Sequence, residues 1–248
     1  MLTGKALFNT LLFELNEMGL PGMSATLDEM YRSPSFLELD PLMAIANLVE
    51  QEYQKKMNKR ILSRLCSAHL RGCPQELSNC VDSAEREYLP RGITETLSTL
   101  DFIDSGLNVC ILGPSDSGKS YLAKAIGIVA CNNYKVEYHH CETLLEELVA
   151  LKAVDYSKYQ KRLKKTCGAA LLILDDFLLH TITDEREVKI LFEILEKRCE
   201  INLSTIICSQ REPASWSSMI LNDEVSANAI LKRATKHYTV VIKPRMAD

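Results

Sequence analysis

Hydrophobic positions recur at helical spacing through the first third of the chain, without strand-like alternation. Leucines and a methionine in residues 7–18 form one such pattern, which residues 19–22 (Gly-Leu-Pro-Gly) should end. Ser24 is predicted to cap a second short helix. Residues 42–68 carry the strongest helical pattern, and its predicted apolar face consists of Ile45, Leu48, Val49, Tyr53, Met57, Ile61, Leu62 and Leu65. The pattern predicts an all-helical N-terminal domain over residues 1–80.

From about residue 90, short apolar runs alternate with helical segments, a pattern typical of a parallel sheet with helices on both faces. Strands are predicted at residues 108–112, 135–139, 169–174, 204–208 and 238–242. Helices are predicted at residues 92–104, 121–130, 142–151, 183–199 and 226–236. Residues 72–90 are interpreted as a linker. The predicted fold is therefore an α/β domain with a five-stranded parallel sheet over residues 81–248, preceded by the small helical domain.

The first predicted strand leads directly into a glycine-rich loop of the form G-x-x-x-x-G-K-S. Two glycines at these positions let the backbone curl so that its N–H groups point at phosphate oxygens. Lys119 would reach the β- and γ-phosphates of ATP, and the Ser120 hydroxyl would bind Mg²⁺. The amides at the start of the next helix add anion stabilisation. The candidate nucleotide-binding residues are Gly113, Pro114, Ser115, Asp116, Ser117, Gly118, Lys119, Ser120 and Tyr121.

Polar residues follow two further strands at the same predicted sheet edge. Asp175 ends the most apolar strand and would complete the Mg²⁺ shell with Ser120. Asp176 could accept a proton from an attacking water, or it could simply cap the next turn. Ser209 and Gln210 end the fourth predicted strand, where they could orient that water or form an ordinary turn.

Composition narrows the class of protein without deciding the activity. A hydrophobic content of 46% and a charged content of 25% are ordinary for a globular protein, and no apolar run approaches the length of a membrane span. We therefore expect a cytoplasmic protein with no membrane partner. Cys66, Cys73 and Cys80 lie near His69, but without a close ligand pair they are weak candidates for zinc.

The net charge of −4 argues against a uniformly basic surface, yet two local clusters of cations stand out. The first, without an acid between Glu52 and Arg71, contains Lys55, Lys56, Lys59, Arg60 and Arg64. The second, around Asp155, contains Lys152, Lys158, Lys161, Arg162, Lys164 and Lys165. Each could bind DNA phosphates or be a solvated helix surface.

These motifs together resemble the IstB/DnaC branch of AAA+ ATPases, in particular the IstB-type transposition helpers. The resemblance extends over nearly the whole chain and is carried by residues 20–23, 42–64, 99–104, 113–120, 171–176, 204–210 and 229–233. It implies an AAA+ core whose fourth strand lies between the first and third. It also implies ATP-driven formation of a homo-oligomer on double-stranded DNA, with ATP sites between subunits, and delivery of bent target DNA to a transposase.

The same resemblance implies a role for individual residues. Lys119 matches the Walker A lysine, Asp175 and Asp176 the Walker B pair, and Arg233 the arginine finger. Ser209 and Gln210 match the sensor-one region.

Two departures from the family pattern affect these expectations. The loop centre Pro-Ser-Asp-Ser places Asp116 beside the expected phosphate, which would weaken nucleotide affinity. The usual Ser-x-Arg sensor near the end is missing, and Arg245 is a poor replacement. Three other functions stay open: a DnaC-like loader of a replicative helicase, an ATP-switched binding module with negligible turnover, and a small-molecule kinase. The kinase is disfavoured because no arginine-rich lid segment follows residue 176.

Overall fold

The computed structural model describes residues 4–220 and 224–244. The chain forms two compact units, Met1–Ser63 and Arg64–Asp248. This division precedes the predicted boundary at residue 80. The reason is that the segment after residue 63 contributes buried side chains to the core of the second unit, namely Ala68, Leu70 and Cys80.

The first unit is helical, as expected. It contains α1 (Gly4–Glu17), α2 (Pro21–Arg32), a 3₁₀ turn (Phe36–Glu38) and most of α3 (Pro41–Ser67). Phe8 of α1 stacks on Tyr31 of α2, with ring centroids 4.0 Å apart. The buried residue of α3 is Glu52, whereas none of the eight residues of its predicted apolar face is buried. Ile45, Val49, Tyr53 and Leu62 are exposed, and Leu48, Met57, Ile61 and Leu65 are half-buried.

The N-terminus of α2 is capped from another helix, so the prediction that Ser24 caps it is wrong. Ser24 lies inside α2, which begins at Pro21. Glu52 of α3 accepts hydrogen bonds through Oε2 from the N–H groups of Gly22 (2.6 Å) and Met23 (3.1 Å). A carboxylate at this end of a helix satisfies two free amides and suits the helix dipole.

The second unit is built on a sheet flanked by helices. In the part of the chain that the structure describes, the strands are β1 (Arg86–Leu89), β2 (Val109–Leu112), β3 (Val136–His140), β4 (Leu171–Asp175), β5 (Ser204–Ser209) and β6 (Tyr238–Pro244). The helices are α4 (Ile93–Ser98), α5 (Asp101–Asp104), α6 (Lys119–Ala130), α7 (Cys141–Val154), α8 (Tyr156–Cys167), α9 (Glu185–Glu200) and α10 (Glu224–Ala234). Further 3₁₀ turns are Leu77–Asn79 and Pro213–Met219.

The six strands are arranged in the order β1-β6-β2-β5-β4-β3. The five predicted strands, β2 to β6, are parallel, and β5 lies between β2 and β4 as expected. The sheet has one strand more than predicted. This strand, β1, lies in the segment that was interpreted as a linker, and it pairs antiparallel with β6. The predicted helix 92–104 is also divided into α4 and α5, where Leu100 adopts a left-handed φ of 64°.

Side chains alternate along the strands between two hydrophobic clusters on opposite faces of the sheet. Leu172 and Leu174 of β4 pack with residues of α7, α8, α9 and α10. Leu171 and Ile173 pack with residues of α6 and with the segment before β2. Because β2 to β6 are parallel, their carboxyl ends lie at one edge of the sheet, where the predicted polar residues lie. No helix within residues 4–220 and 224–244 is long and apolar enough to cross a membrane.

Candidate nucleotide-binding site

The loop between β2 and α6 is packed so tightly that both of its glycines are required. A Cβ on Gly113 would lie 2.6 Å from the carbonyl oxygen of Ile242 and 2.6 Å from Ser117 Oγ, too close for any side chain. Gly118 precedes α6 with a φ of 101°, a conformation that glycine adopts without strain. Strand, loop and helix therefore follow one another as the motif predicts.

Lys119, the first residue of α6, turns its side chain into this loop. The side chain is buried, and Nζ donates a hydrogen bond to the carbonyl oxygen of Pro114 at 2.6 Å. Burial lowers the pKa of Lys119, and the nearby carboxylates of Asp175 and Asp176 offset part of that effect. An ammonium group beside free helix amides is well placed to bind phosphate.

Ser120 and Asp175 lie side by side below the loop. Ser120 Oγ donates to Asp175 Oδ1 at 3.0 Å, and Tyr138 donates its hydroxyl to Oδ2 of the same carboxylate at 2.5 Å. Burial and this hydrogen bond raise the pKa of Tyr138, so its hydroxyl stays a donor. A hydroxyl and a carboxylate oxygen are the hard ligands that Mg²⁺ prefers, and the ion takes its remaining ligands from phosphate and water. The donor set therefore fits Mg²⁺.

Asp176 follows β4 in a left-handed conformation, with φ 53°. Its backbone N–H donates to Asp175 Oδ1 at 3.0 Å, while its own carboxylate lies 2.9 Å from His140 Nδ1 through Oδ2. Within the described residues this carboxylate accepts no backbone N–H, which disfavours the alternative that it caps the turn. A half-exposed Asp–His pair beside a phosphate loop can accept a proton from water.

The two polar residues at the end of β5 differ in their contacts. Ser209 is buried, donates its hydroxyl to the carbonyl oxygen of Phe177 at 2.8 Å and accepts from the N–H of Arg211 at 3.1 Å. Gln210 is exposed and lines the same pocket as Gly113 and Pro114. Ser209 therefore holds neighbouring backbone in place, and Gln210 is the polar tip beside the loop.

Tyr121 connects α6 to the segment before β1. Its hydroxyl accepts hydrogen bonds from the N–H of Glu76 at 3.2 Å and from Asn79 Nδ2 at 3.3 Å. A direct role of Tyr121 in nucleotide binding stays a prediction. The remaining loop residues, Pro114, Ser115 and Asp116, are exposed.

Arg233, near the end of α10, contacts side chains of its own chain. It forms an ion pair with Glu196 of α9, and its guanidinium lies 4.9 Å from the ring centroid of Phe192. Asn108 Nδ2 donates to the carbonyl oxygen of Arg233 at 2.7 Å, which ties this end of α10 to β2. In this conformation the guanidinium is engaged within its own chain, and the role of Arg233 as an arginine finger stays a prediction. Arg245 lies outside the described residues.

Some cations of the first basic cluster have a partner among the described residues and others do not. Lys55, Lys59 and Arg60 are exposed and make no ion pair with the described residues, whereas Lys56 Nζ lies 3.5 Å from Glu52 Oε1. Arg64 donates through Nη1 to the carbonyl oxygens of Cys131 (3.2 Å) and Asn132, just beyond the end of α6. Helix ends offer free carbonyls of this kind to cations.

The second basic cluster is likewise divided. Arg162 donates to Glu147 (2.8 Å) and Glu137 (3.3 Å), and Lys165 Nζ lies 2.7 Å from Glu137 Oε1. Lys161 and Lys164 are exposed, and the structure gives them no partner among the residues it describes. Lys158 Nζ lies 3.4 Å from Asp155 Oδ2, and Lys152 Nζ lies 5.0 Å from the ring centroid of Tyr159. Two of the five cations in the first cluster and four of the six in the second therefore already have a partner within the chain.

Three residues at the site were missed from the sequence: Tyr138, His140 and Arg86, whose Nη1 would lie 2.7 Å from a Cβ on Gly118. Tyr138 and His140 belong to β3, and strand ends of a parallel sheet converge at one edge. The polar end of that predicted strand was therefore an available signal. Arg86 belongs to β1, which was interpreted as linker. No three His, Cys, Asp or Glu side chains among the described residues form a metal-binding group of their own.

The parallel sheet with β5 between β2 and β4, and the phosphate loop at its edge, define an AAA+-like P-loop protein. The fold matches the crystal structure of the DnaC helicase loader, with a TM-score of 0.52 and 21% identity over 69% of this chain and 98% of that chain. It also matches the replication initiator DnaA bound to AMPPCP and single-stranded DNA, with a TM-score of 0.55 and 20% identity over 69% of this chain and 50% of that chain. At these identities the likeness is one of fold.

A family model described as IstB-like ATP binding protein matches residues 13–244, and the chain belongs to this family. Named relatives are insertion-sequence ATP-binding proteins. The protein y4pL of Sinorhizobium fredii is 36% identical over 222 residues, or 89% of this chain and 87% of the relative. The ATP-binding protein of insertion sequence IS21 from Pseudomonas aeruginosa is 28% identical over 216 residues, or 79% of each chain.

Proposed function

We propose that this chain is a DNA-dependent ATPase that forms oligomers on double-stranded DNA and assists the transposase of an insertion sequence. The observation that carries the ATPase is the contact of Ser120 with the buried Asp175, directly below Lys119 and beside Asp176. The association with transposition rests on the relatives, which are named as insertion-sequence proteins.

In this proposal each residue has one task. Lys119 would exchange the carbonyl of Pro114 for the β- and γ-phosphates. Ser120 and Asp175 would hold Mg²⁺, which would supply positive charge for the phosphate oxygens. Asp176 accepts the proton of the attacking water, with His140 orienting its carboxylate. Gln210 positions that water.

Arg233 would act as the arginine finger at the site of an adjacent subunit. It must then exchange Glu196 for phosphate, which a charged arginine can do because phosphate offers the same bidentate geometry as a carboxylate. The oligomer is therefore required for full turnover, and the free subunit is expected to be nearly inactive.

The test separates nucleotide binding from turnover. Lys119→Ala should abolish ATP binding, whereas Asp176→Asn should bind ATP and lose roughly 10²- to 10⁴-fold in hydrolysis. Asp116→Asn is the matched control, since it also removes one carboxylate near the loop but should bind ATP at least as tightly as the parent. Normal turnover by Asp176→Asn would favour the second candidate, a binding module switched by ATP.

The partner is tested separately from the chemistry. A transposase gene beside the gene of this chain, and retention of that purified transposase by the ATP-bound protein on DNA, are the expected results. A helicase loader has the same fold, as the match to DnaC illustrates. Binding to the replicative helicase instead of the transposase would move the chain to that function.

A further inference from the structure

Arg86 lies on the phosphate loop although it comes from the edge strand β1. A Cβ on Gly118 would be 2.7 Å from Arg86 Nη1 and 3.7 Å from Cζ, so the guanidinium rests directly on the second glycine of the loop. The backbone of Arg86 is fixed by the pairing of β1 with β6, in register with Pro244. Its side chain is about one-third exposed, at 32%. Arg86 is thus held at the loop by the sheet.

The charges around this guanidinium are unbalanced. Among the described residues its carboxylate neighbour within 4 Å is Glu85, at 3.9 Å, and that side chain is 85% exposed, so the ion pair is weak. Lys119 and the N-terminus of α6 add positive charge at the same loop. Two cations and a helix N-terminus together favour an anion between them.

The interior of the loop also offers an unused polar group. Ser117 is buried, at 5% exposure, and its hydroxyl has no hydrogen-bond partner among the described residues. A Cβ on Gly113 would lie 2.6 Å from that hydroxyl, so Ser117 Oγ lies against the first glycine of the loop. Unpaired buried hydroxyls are uncommon, and a bound ligand is one way to satisfy such a group.

We propose that Arg86 is a phosphate ligand of the nucleotide and that its guanidinium donates to the oxygens of the diphosphate held by the loop. A phosphate bound by the amides around Gly118 lies within reach of a guanidinium that already touches that residue. Arginine suits this task because its planar fork matches phosphate in a bidentate manner. The inference rests on the proposed ATP binding and adds a residue from outside the glycine-rich motif.

The experiment compares ADP with adenosine, measured by displacement of a fluorescent ADP from the full chain. Arg86→Ala should bind ADP about 10- to 100-fold more weakly, the loss expected for one hydrogen bond to a charged group. The ADP affinity of Arg86→Lys should fall between that of the parent and that of Arg86→Ala. The affinity for adenosine should be the same in all three proteins. Arg91→Ala is the matched control, because Arg91 is 84% exposed just after the same strand and pairs with Glu87.

The outcomes distinguish this inference from the proposed function. If Arg86→Ala binds ADP like the parent while Lys119→Ala does not, Arg86 is not a ligand and the nucleotide site stands. If the parent itself binds no ADP, both proposals fail. Equal losses for ADP and adenosine would assign Arg86 to holding the strand, which also overturns the inference. Arg86→Gln, which keeps the side-chain length, gives the same comparison should the alanine variant unfold.

Discussion

Both units of this chain contain segments with helical periodicity, but they bury the apolar residues of those segments to different extents. In the second unit, apolar residues from helices and strands fill two clusters on opposite faces of one sheet. In the described part of the first unit, the buried residues are Gly22, Ser24 and Glu52. Large apolar side chains stay exposed there, including Phe13, Met18, Leu42, Met43, Ile45, Val49 and Tyr53. Periodicity predicts a helix, but the partner that covers the helix must come from elsewhere in the structure.

The interactions that stabilise each unit internally also differ in kind. The first unit relies on a few specific contacts, such as the stack of Phe8 on Tyr31 and the Glu52 carboxylate at the start of α2. The second unit combines hydrophobic layers with buried polar groups such as Arg198. Exposed apolar surface of this extent is typical of protein interaction sites. The candidate nucleotide-binding residues lie in the second unit, and a role of the first unit in binding other molecules stays a prediction.

The largest expected effect concerns turnover in the second unit. Arg233→Ala should lower DNA-dependent ATP hydrolysis by ~10³- to 10⁵-fold, the usual contribution of an arginine finger. Mixing it with Lys119→Ala should restore part of the activity, because an intact loop then meets an intact finger. Lys232→Ala, which changes the neighbouring cation on the same helix, is the control. Normal hydrolysis by Arg233→Ala alone would mean that its contacts with Glu196 and Phe192 are purely structural.

The next effect concerns the stability of the second unit. Arg198 is buried without a carboxylate partner among the described residues, and burial lowers its pKa to about 10. Its guanidinium donates to oxygens of Thr166, Cys167, Ala169, Ser204 and Thr205. Arg198→Met leaves these oxygens unsatisfied and should cost about 3 to 5 kcal/mol in urea unfolding. Lys197→Met, at a more exposed position, should cost less than about 1 kcal/mol; equal losses would show that the buried network contributes little.

Acid should destabilise the second unit through Glu137. Burial alone would raise the pKa of Glu137, but hydrogen bonds from His139 and Lys165 lower it to about 2 from its usual 4.5. As the pH falls, Glu137 is therefore protonated in the unfolded chain before it is protonated in the folded chain. Its contribution to the free energy of unfolding is complete above about pH 4.5 and is lost as the pH falls towards 2. The full loss in the free energy of unfolding is roughly 3 kcal/mol.

Unfolding curves measured across this range check the assignment. Glu137→Gln should be less stable than the parent at neutral pH, and its free energy of unfolding should change less with pH. Glu185→Gln, an exposed control, should follow the parent. A parent whose stability does not change between about pH 5 and pH 3 would contradict the role of Glu137.

How much of this structure the sequence could predict depends on whether the signal was local. The phosphate loop, the five parallel strands and Asp175 all follow from short motifs and apolar runs. The strand β1 could not be found in this way, because its four residues lack alternation and its partner β6 is at the far end of the chain. Arg86 was missed for the same reason. The contact of Arg64 with the carbonyls of residues 131 and 132 likewise depends on tertiary structure.

The smallest expected effect tests the first unit as a DNA-binding region. Arg64 and Lys56 already have partners, so the open cations of the first cluster are Lys55, Lys59 and Arg60. Removing these three together should weaken binding to unrelated DNA sequences equally and lower the salt slope by about 0.9 for each phosphate that the protein no longer neutralises. ATP affinity without DNA should stay at the parent value, since the nucleotide site belongs to the second unit. Lys161→Ala with Lys164→Ala is the control from that unit: if this pair lowers the slope and the triple variant does not, DNA binds the ATPase unit instead, and the division of tasks between the two units is wrong.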